Sequence, residues 1–444
     1  MELTEYFNTK KYNTYTRNKQ IFEENSTGTF RTEVNSRVKL ELMGAGGIVS
    51  GGSVLSGWDN GRPNYSPIDS LIVPSNLLSS ITSAYISYAT AGDLLFDGEP
   101  DDYLQQKVKE CIREQSVGGS CLLKLVEFEG SQYLNIYNAL SYFTTPHPYI
   151  QDAIESYTIF NKVSEDDENE TYMLEEHKGN IVIYRKAEVN KKDGSMKYVD
   201  ADIEGMKKYQ DESGVIYSVL VQDAPKVAEV TNTVFEGNSD YTDDNVALLR
   251  ELVVTNTLNS QTFDKISNPL LAMPEEALEY DENGQARVHL QDRVVIIRDG
   301  GNKPEQITLE SKIEQSQIHK DNLENQIFSS LAVNKSSLGI SDLGQLSGDA
   351  LERMMASTIS RVEEKRTAVA KAFNALLGVE VTFNDVVAKT LDEQATAIKK
   401  AIDGGFMSVK YATELLGNSE DYEQIKLENE QLGTEYQGFV SGED

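Results

Sequence analysis

The order of elements between residues 243 and 377 limits this chain more than any other feature. Residues 243–265 place Val246, Leu249, Leu252, Val253 and Phe263 on one stripe at helical spacing. A small β-rich insert follows. Pro274 and the Asn283-Gly284 pair mark turns, residues 288–290 and 294–297 read as strands, and Asp299-Gly300-Gly301-Asn302 reads as another turn. Residues 309–331 are helical again, with a sparse stripe of Ile313, Ile318, Leu323 and Ile327. That stripe is too thin for a buried core helix and suits packing against a neighbour. Residues 332–346 form a short segment containing Gly339 and Gly344. From 347 to 377 runs an amphipathic helix of roughly 45 Å, with Leu351, Met355, Ile359, Val362, Val369, Phe373 and Leu376 along one face. Asp349 and Glu352 can form a capping box, and Gly378 stands where a glycine ends a helix. Two helices of similar length around a β module send the chain out along one rod and back along another.

Upstream the pattern differs. Residues 1–66 are polar and rich in Gly and Ser, and residues 44–57 read as a loop or arm. Residues 68–88 are helical after Pro74. Leu104, Val108, Cys111 and Ile112 put residues 102–116 on a helix, which Gly118-Gly119 stops before a buried strand at 121–128. Short strands and polar turns follow at 157–163, 173, 181–184 and 216–221, with an acidic turn at 165–170. The body over 67–242 therefore reads as α/β or α+β, and the chain as an α+β multidomain protein. Residues 392–431 are helical with a break at Gly404-Gly405, and 433–444 read as disordered. No internal repeat is present.

Charge and chemistry narrow the function. The chain of 444 residues carries 72 acidic and 41 basic side chains, a formal net charge of -31. Such a surface repels nucleic acid at long range, which argues against a high-affinity DNA wrapper but not against a wall past which DNA slides. The two cysteines, Cys111 and Cys121, cannot make a disulfide framework and read as buried thiols. No apolar run approaches the ~18 residues of a membrane span, so the expectation is a soluble protein of a reducing cytoplasm. His147, His177, His289 and His319 are scattered and read as surface or turn residues. Glu175-Glu176 and Glu275-Glu276 read as solvated surface. No Gly-Lys-Ser/Thr loop and no Gly-x-Ser-x-Gly elbow occurs. The expectation is a protein with no catalytic residues, no metal and no cofactor.

One family shares this order of elements. Ser347-Gly348-Asp349-Ala350-Leu351 opens the long helix and Glu352-Arg353-Met354-Met355 continues it; Lys303-Pro304-Glu305-Gln306-Ile307-Thr308 leads into the second helix. With the tail motifs at 401–408, 413–416 and 423–430, and Ser116-Val117-Gly118-Gly119-Ser120 upstream, the chain resembles the portal proteins of long-tailed, siphovirus-type bacteriophages. The match covers most of the chain from about residue 100. It is strong after 243 and loose before, and the N-terminal region and the short tail depart from it.

The resemblance implies a closed ring of about twelve copies around a DNA channel at one capsid vertex. It assigns a wing to 67–242, stem helices to 243–266 and 309–331, and a clip to 267–308. A tunnel loop falls at 332–346, the long wing helix and its return at 347–387, and crown helices at 388–432. Lys335, Leu338, Gly339, Ile340, Leu343 and Gly344 would line the channel constriction. Lys312 and Lys320 on the second stem helix would touch passing phosphate. Asn283, Gly284, Asp299, Gly300 and Asn302 would form the clip surface for the terminase large subunit and later the head–tail connector. Double-stranded DNA, major capsid protein and scaffolding protein are the further partners implied, with assembly in the host cytoplasm. Two other readings stay open from the residues alone: another oligomeric virion component, such as a minor capsid or connector protein, and an acidic intracellular hydrolase using a carboxylate pair.

Overall fold

The computed structural model describes residues 2–23, 29–44, 49–50, 53–59, 62–92, 94–150, 153–221, 224–232, 237–267, 270–274, 279–280, 286–287, 294–297, 305–307, 313–338, 348–384 and 399–400. Contacts divide the chain into two compact units. One comprises Met1–Ser341 with Ser357–Asn384, the other Asp342–Ala356 with Asp385–Asp444.

The N-terminal region is not the polar arm expected. It forms three helices, α1 (Leu3–Phe7), α2 (Lys10–Phe22) and α3 (Thr29–Gly44), then a meander of β1 (Val49–Ser50), β2 (Ser53–Asp59) and β3 (Arg62–Pro67). The Thr9 hydroxyl caps α2 by accepting the Tyr12 amide at 3.3 Å. A few large side chains do the anchoring. Leu3 and Tyr6 lie in a core cluster with Phe143, Phe160, Tyr172 and Leu174, and the Tyr6 hydroxyl donates to the Ala139 carbonyl at 2.6 Å. Val34, Val38 and Leu42, spaced four apart, pack with Ile68, Ile72, Val253 and Val254. A composition average over a polar stretch hides such sparse anchors.

The body continues through α4 (Ile68–Leu71), α5 (Leu77–Ala89), the short strands β4 (Leu95–Phe96) and β5 (Glu99–Pro100), and α6 (Asp102–Gly118). Asp101 caps α6 through the Leu104 amide at 2.9 Å. Gly119, at φ 87°, ends it in the left-handed conformation. There follow β6 (Ser120–Phe128), β7 (Ser131–Tyr137), β8 (Tyr142–Pro146), β9 (Ile154–Glu165), β10 (Asn169–Lys178), β11 (Ile181–Asn190), β12 (Met196–Val199), β13 (Lys207–Gln210), β14 (Ile216–Leu220) and β15 (Val227–Thr231). One sheet has the order β15-β6-β7. The larger has the order β13-β14-β11-β10-β9-β8, with β12 on β11. Every pair in both sheets is antiparallel. Hairpins need no helical crossover, so the body is α+β and not α/β.

The long elements come next: α7 (Asp243–Ser267), then β16 (Leu270–Pro274), β17 (Glu279–Tyr280), β18 (Ala286–Arg287), β19 (Val294–Ile297) and β20 (Glu305–Ile307), then α8 (Ile313–Ser330). In the insert, β16 pairs parallel with β19 and antiparallel with β20. The strand expected at 288–290 lies outside the described residues. A short 3-10 turn, Lys335–Leu338, precedes α9 (Gly348–Leu377), and β21 (Val381–Thr382) returns to pair with β4. The α9 helix begins one residue ahead of Asp349, so Asp349 sits in its first turn and is not its cap. The second unit contributes to the described residues only the start of α9 and residues 399–400; the expected helices at 392–431 otherwise lie outside them, as does the tail at 433–444.

One stripe residue of α7, Phe263, is misplaced in the sequence reading, and the α8 stripe expected to meet a neighbour is in part covered by the chain itself. Phe263 and Ile318 are exposed. Val246, Leu249, Leu252 and Val253 of α7, and Leu323, Ile327, Phe328 and Leu331 at the end of α8, are buried within the single chain. Packing is concentrated at the body end of each helix, where α3 covers Val253 and Val254 of α7 and where Tyr85 of α5 and Thr358 of α9 meet the end of α8. On α9, Val362, Val369, Phe373 and Leu376 are buried, and the Phe373 ring stacks with Phe96 at 6.3 Å between centroids. Gly378, at φ 73°, ends α9, and its amide bonds the Asn374 carbonyl at 2.8 Å. Phe373→Ala removes a phenyl group with no accessible surface and is expected to cost about 3–5 kcal/mol. A thermal melt checks this, and an unchanged midpoint removes the ring from the core.

Candidate functional site

The junction where α8 gives way to the segment before α9 is tied from several elements of the first unit. The Leu331 carbonyl accepts the Tyr85 hydroxyl at 2.5 Å. Ala332 then turns into the left-handed region, at φ 55°. This conformation is costly for a side chain with a Cβ and persists only where the surroundings hold it. They do so here. The Val333 amide returns to the Phe328 carbonyl at 2.9 Å. The Thr358 hydroxyl of α9, itself buried, donates to the Ala332 carbonyl and accepts the Asn334 amide, both at 3.1 Å. The Ser330 hydroxyl reaches the Asn245 side-chain oxygen on α7 at 2.5 Å, and further along the pair Ser316 reaches Asn259 at 2.5 Å. The two long helices are thus stitched at two levels, and the segment leaving α8 starts from a fixed base.

A buried charge cluster holds α9 in turn. Asp240, just ahead of α7, accepts from Lys365 at 2.8 Å and from Arg361 at 2.9 Å. Lys365 and Asp240 are each 2% exposed at the side chain. The Lys365 ammonium also faces the Tyr85 ring at 5.2 Å. Arg366 donates to the Tyr88 and Ala89 carbonyls at the end of α5, at 2.8 and 3.2 Å.

Burial alone would raise the Asp240 carboxyl, but Lys365 and Arg361 outweigh it and hold it below its ordinary 3.8. Burial pushes the Lys365 ammonium down, and its single anion does not fully compensate. Both groups shift down because two cations favour the one carboxylate, while burial and the like charge of Arg361 weigh against the ammonium. For Asp240 the linkage sign is plain: a depressed folded value means a contribution complete above 3.8 and lost as pH falls below it. Denaturant titrations from pH 5 to pH 2 should show stability falling in that window. Asp240→Asn should flatten the fall.

The lysines singled out from sequence are placed in part. Lys335 and Lys320 converge on Glu324, at 4.0 and 3.9 Å, and Lys335 also lies 5.6 Å over the Phe328 ring. Leu338 is half-buried in the 3-10 turn. Gly339, Ile340, Leu343, Gly344 and Lys312 lie outside the described residues, as do Asn283, Gly284, Asp299, Gly300 and Asn302.

Sequence reasoning passed over Tyr85, Asp240, Thr358 and Lys365, whose partners are more than twenty residues away in every case. It also misread two residues of β10. Glu175 was expected on the solvated surface and His177 at the surface or in a turn, yet both are buried. Glu175 accepts from Lys124 at 2.6 Å, His177 at 2.9 Å and Tyr184 at 3.3 Å. Burial would raise its carboxyl, but hydrogen bonds and the neighbouring cations lower it below the ordinary value. The alternation of Tyr172 and Leu174 with Glu175 and His177 was the available signal that both faces of this strand are covered. Cys111 and Cys121 are buried free thiols, and burial with their mutual contact pushes the Cys121 thiol up. Among the described residues no group of three His, Cys, Asp or Glu could hold a metal ion, and no helix is long and apolar enough to cross a membrane.

No family model matches the sequence, and no curated protein matches it. Among solved structures, the chain is similar to a chain of the virion of the native gene transfer agent (GTA) particle, at 13% identity and a TM-score of 0.42, over 86% of this chain and 98% of that one. It is also similar to a chain in the neck of the native GTA particle computed with C12 symmetry, at 13% identity and 0.43, over 77% and 89%. A chain in the neck of the empty GTA particle computed with C6 symmetry gives 13% and 0.44, over 76% and 88%.

Proposed function

We propose that this chain is a structural, non-enzymatic component of a virus-like particle, and specifically the portal subunit: one copy of a closed ring at a capsid vertex, through which double-stranded DNA is packaged, retained and ejected. The observation that carries this reading is the anchored base of the segment after α8. Tyr85 and Thr358 grip residues 331–334 from two different helices, and Asp240 ties the helix bearing Thr358 to the start of α7. A segment held rigidly at its root, between a stitched helix pair and a long core helix, suits a loop that must meet its copies at a ring axis under load.

In this reading α7 and α8 are the stem and the β16–β20 insert is the clip, which meets the terminase large subunit and later the head–tail connector. The body is the wing, facing major capsid and scaffolding proteins. The acidic surface, net charge -31, keeps DNA from adhering to the wall. Lys335 and Lys320, each near Glu324, would touch phosphate only weakly. Negative-stain imaging of the purified chain tests the assembly: rings with a central hole are expected, and a uniform monomer defeats the reading. Replacing residues 339–343 by a Gly/Ser linker should leave rings intact and reduce the DNA packaged per capsid in a complementation assay. Normal filling would remove this segment from the channel.

A further inference from the structure

In a chain where 25% of residues are charged, residues 130–151 contain no Asp, Glu, Lys or Arg. The run supplies two sheet-edge strands, β7 and β8, and ends in a loop that points apolar groups at solvent. Tyr149 is 92% exposed and Ile150 55%. Residues 147–150 are tied down. The His147 amide bonds the Ala153 carbonyl at 2.8 Å and closes the base of the loop, and the Ala153 amide bonds Ile150 at 3.4 Å. The Tyr149 amide donates to His147 Nδ1 at 3.3 Å. Pro146 and Pro148 fix two backbone dihedrals. An exposed aromatic held in one shape loses little entropy on binding, which is the property of an interface anchor.

A second uncharged surface lies elsewhere on the same unit. A groove of about 850 Å³ runs along α5, walled by Phe22, Leu77, Tyr88 and Leu338. Among the described residues that line it none is charged. Three serines on this side of α5, Ser79, Ser83 and Ser87, have already satisfied their hydroxyls. Ser83 donates to the Ser79 carbonyl and Ser87 to the Ser83 carbonyl, each at 2.9 Å. Covering them with an apolar side chain strands no hydroxyl donor.

From these two surfaces we infer that the Tyr149–Ile150 knob of one copy seats in the α5 groove of the next. The occupant is a second copy: chains of like net charge -31 meet at least cost where the touching side chains are uncharged, and Tyr149, Ile150 and the groove lining are. A knob and a groove on different parts of one surface make a head-to-tail contact, which repeats into a closed ring or an open chain. The inference rests on the ring reading above and names the contact that would close it.

The test uses the full chain with Tyr149→Cys and Ser83→Cys together, under mild oxidation. The native Cys111 and Cys121 are fully buried and add little background. A ladder of disulfide-linked oligomers that collapses under reductant is expected. Mixing the two single variants should stop at dimers. Dimers from Tyr149→Cys alone would mean that knob meets knob, and would overturn the inference. So would absence of the ladder in a sample whose rings are visible by negative stain, which leaves the ring reading standing. Absence of both rings and ladder defeats the two together. As an independent arm, Tyr149→Asp with Ile150→Asp should lower the ring population about tenfold at fixed concentration. Val163→Asp, also at an exposed apolar position, should leave it unchanged, and equal effects of the two changes would overturn the assignment.

Discussion

Asp240→Ala is expected to destabilise the protein by about 3–5 kcal/mol, because it leaves two cations without their shared anion and one of them fully buried. Lys365 is 2% exposed and Arg361 23% at the side chain, and both donate to this carboxylate. The loss does not come from a strong net attraction. An ammonium taken out of water is costly, and the carboxylate offsets that cost only while it is present. The double change Asp240→Ala, Lys365→Met should therefore recover part of the loss, since the thioether needs no counter-charge. Equilibrium denaturation of the three proteins decides the matter. If the double variant is no more stable than Asp240→Ala, the stranded ammonium is not the source of the damage.

Gly119→Ala is the second large effect. Gly119 sits at φ 87°, and a Cβ there would lie 1.8 Å from the Gly237 carbonyl oxygen and 2.5 Å from its carbon. Both obstacles are backbone, so no rotamer change relieves them. The expected loss exceeds roughly 3 kcal/mol, and failure to fold is consistent with it. Gly98→Ala is the control. Gly98 has φ 89° and nothing within 4 Å of the added atom among the described residues. It should lose only the left-handed penalty, about 1–2 kcal/mol. Denaturation midpoints that coincide for the two variants would show that the approach to Gly237 is not close in solution.

What was legible in the sequence was local. Gly119 stops α6 and Gly378 ends α9, because caps act within one turn of the residues they serve. The three long helices were readable because each is long enough for its period to show, whereas the strands of the insert run only two to five residues. The N-terminal helices were not, since Leu3, Tyr6 and Tyr15 are isolated anchors in a polar background. Asp240 and Lys365 are 125 positions apart, and nothing in either neighbourhood marks a buried charge. Thr358 is one more helix hydroxyl until Ala332 and Asn334 are brought to it. Lys335 and Lys320 could be picked out by position, but their shared carboxylate, Glu324, could not.

The docking of α1 also bears on timing during synthesis. The Tyr6 hydroxyl meets a carbonyl 133 positions downstream, and its core cluster extends to Val189 on β11. This helix therefore leaves the ribosome with no native seat until most of the large sheet has been made. Leu3, Tyr6 and Phe7 remain a naked apolar segment through that interval, available to chaperones and to other nascent chains. Contacts of such long sequence separation slow folding. Helix α1 is then among the last parts to be locked, and its closure marks a chain whose sheet is complete.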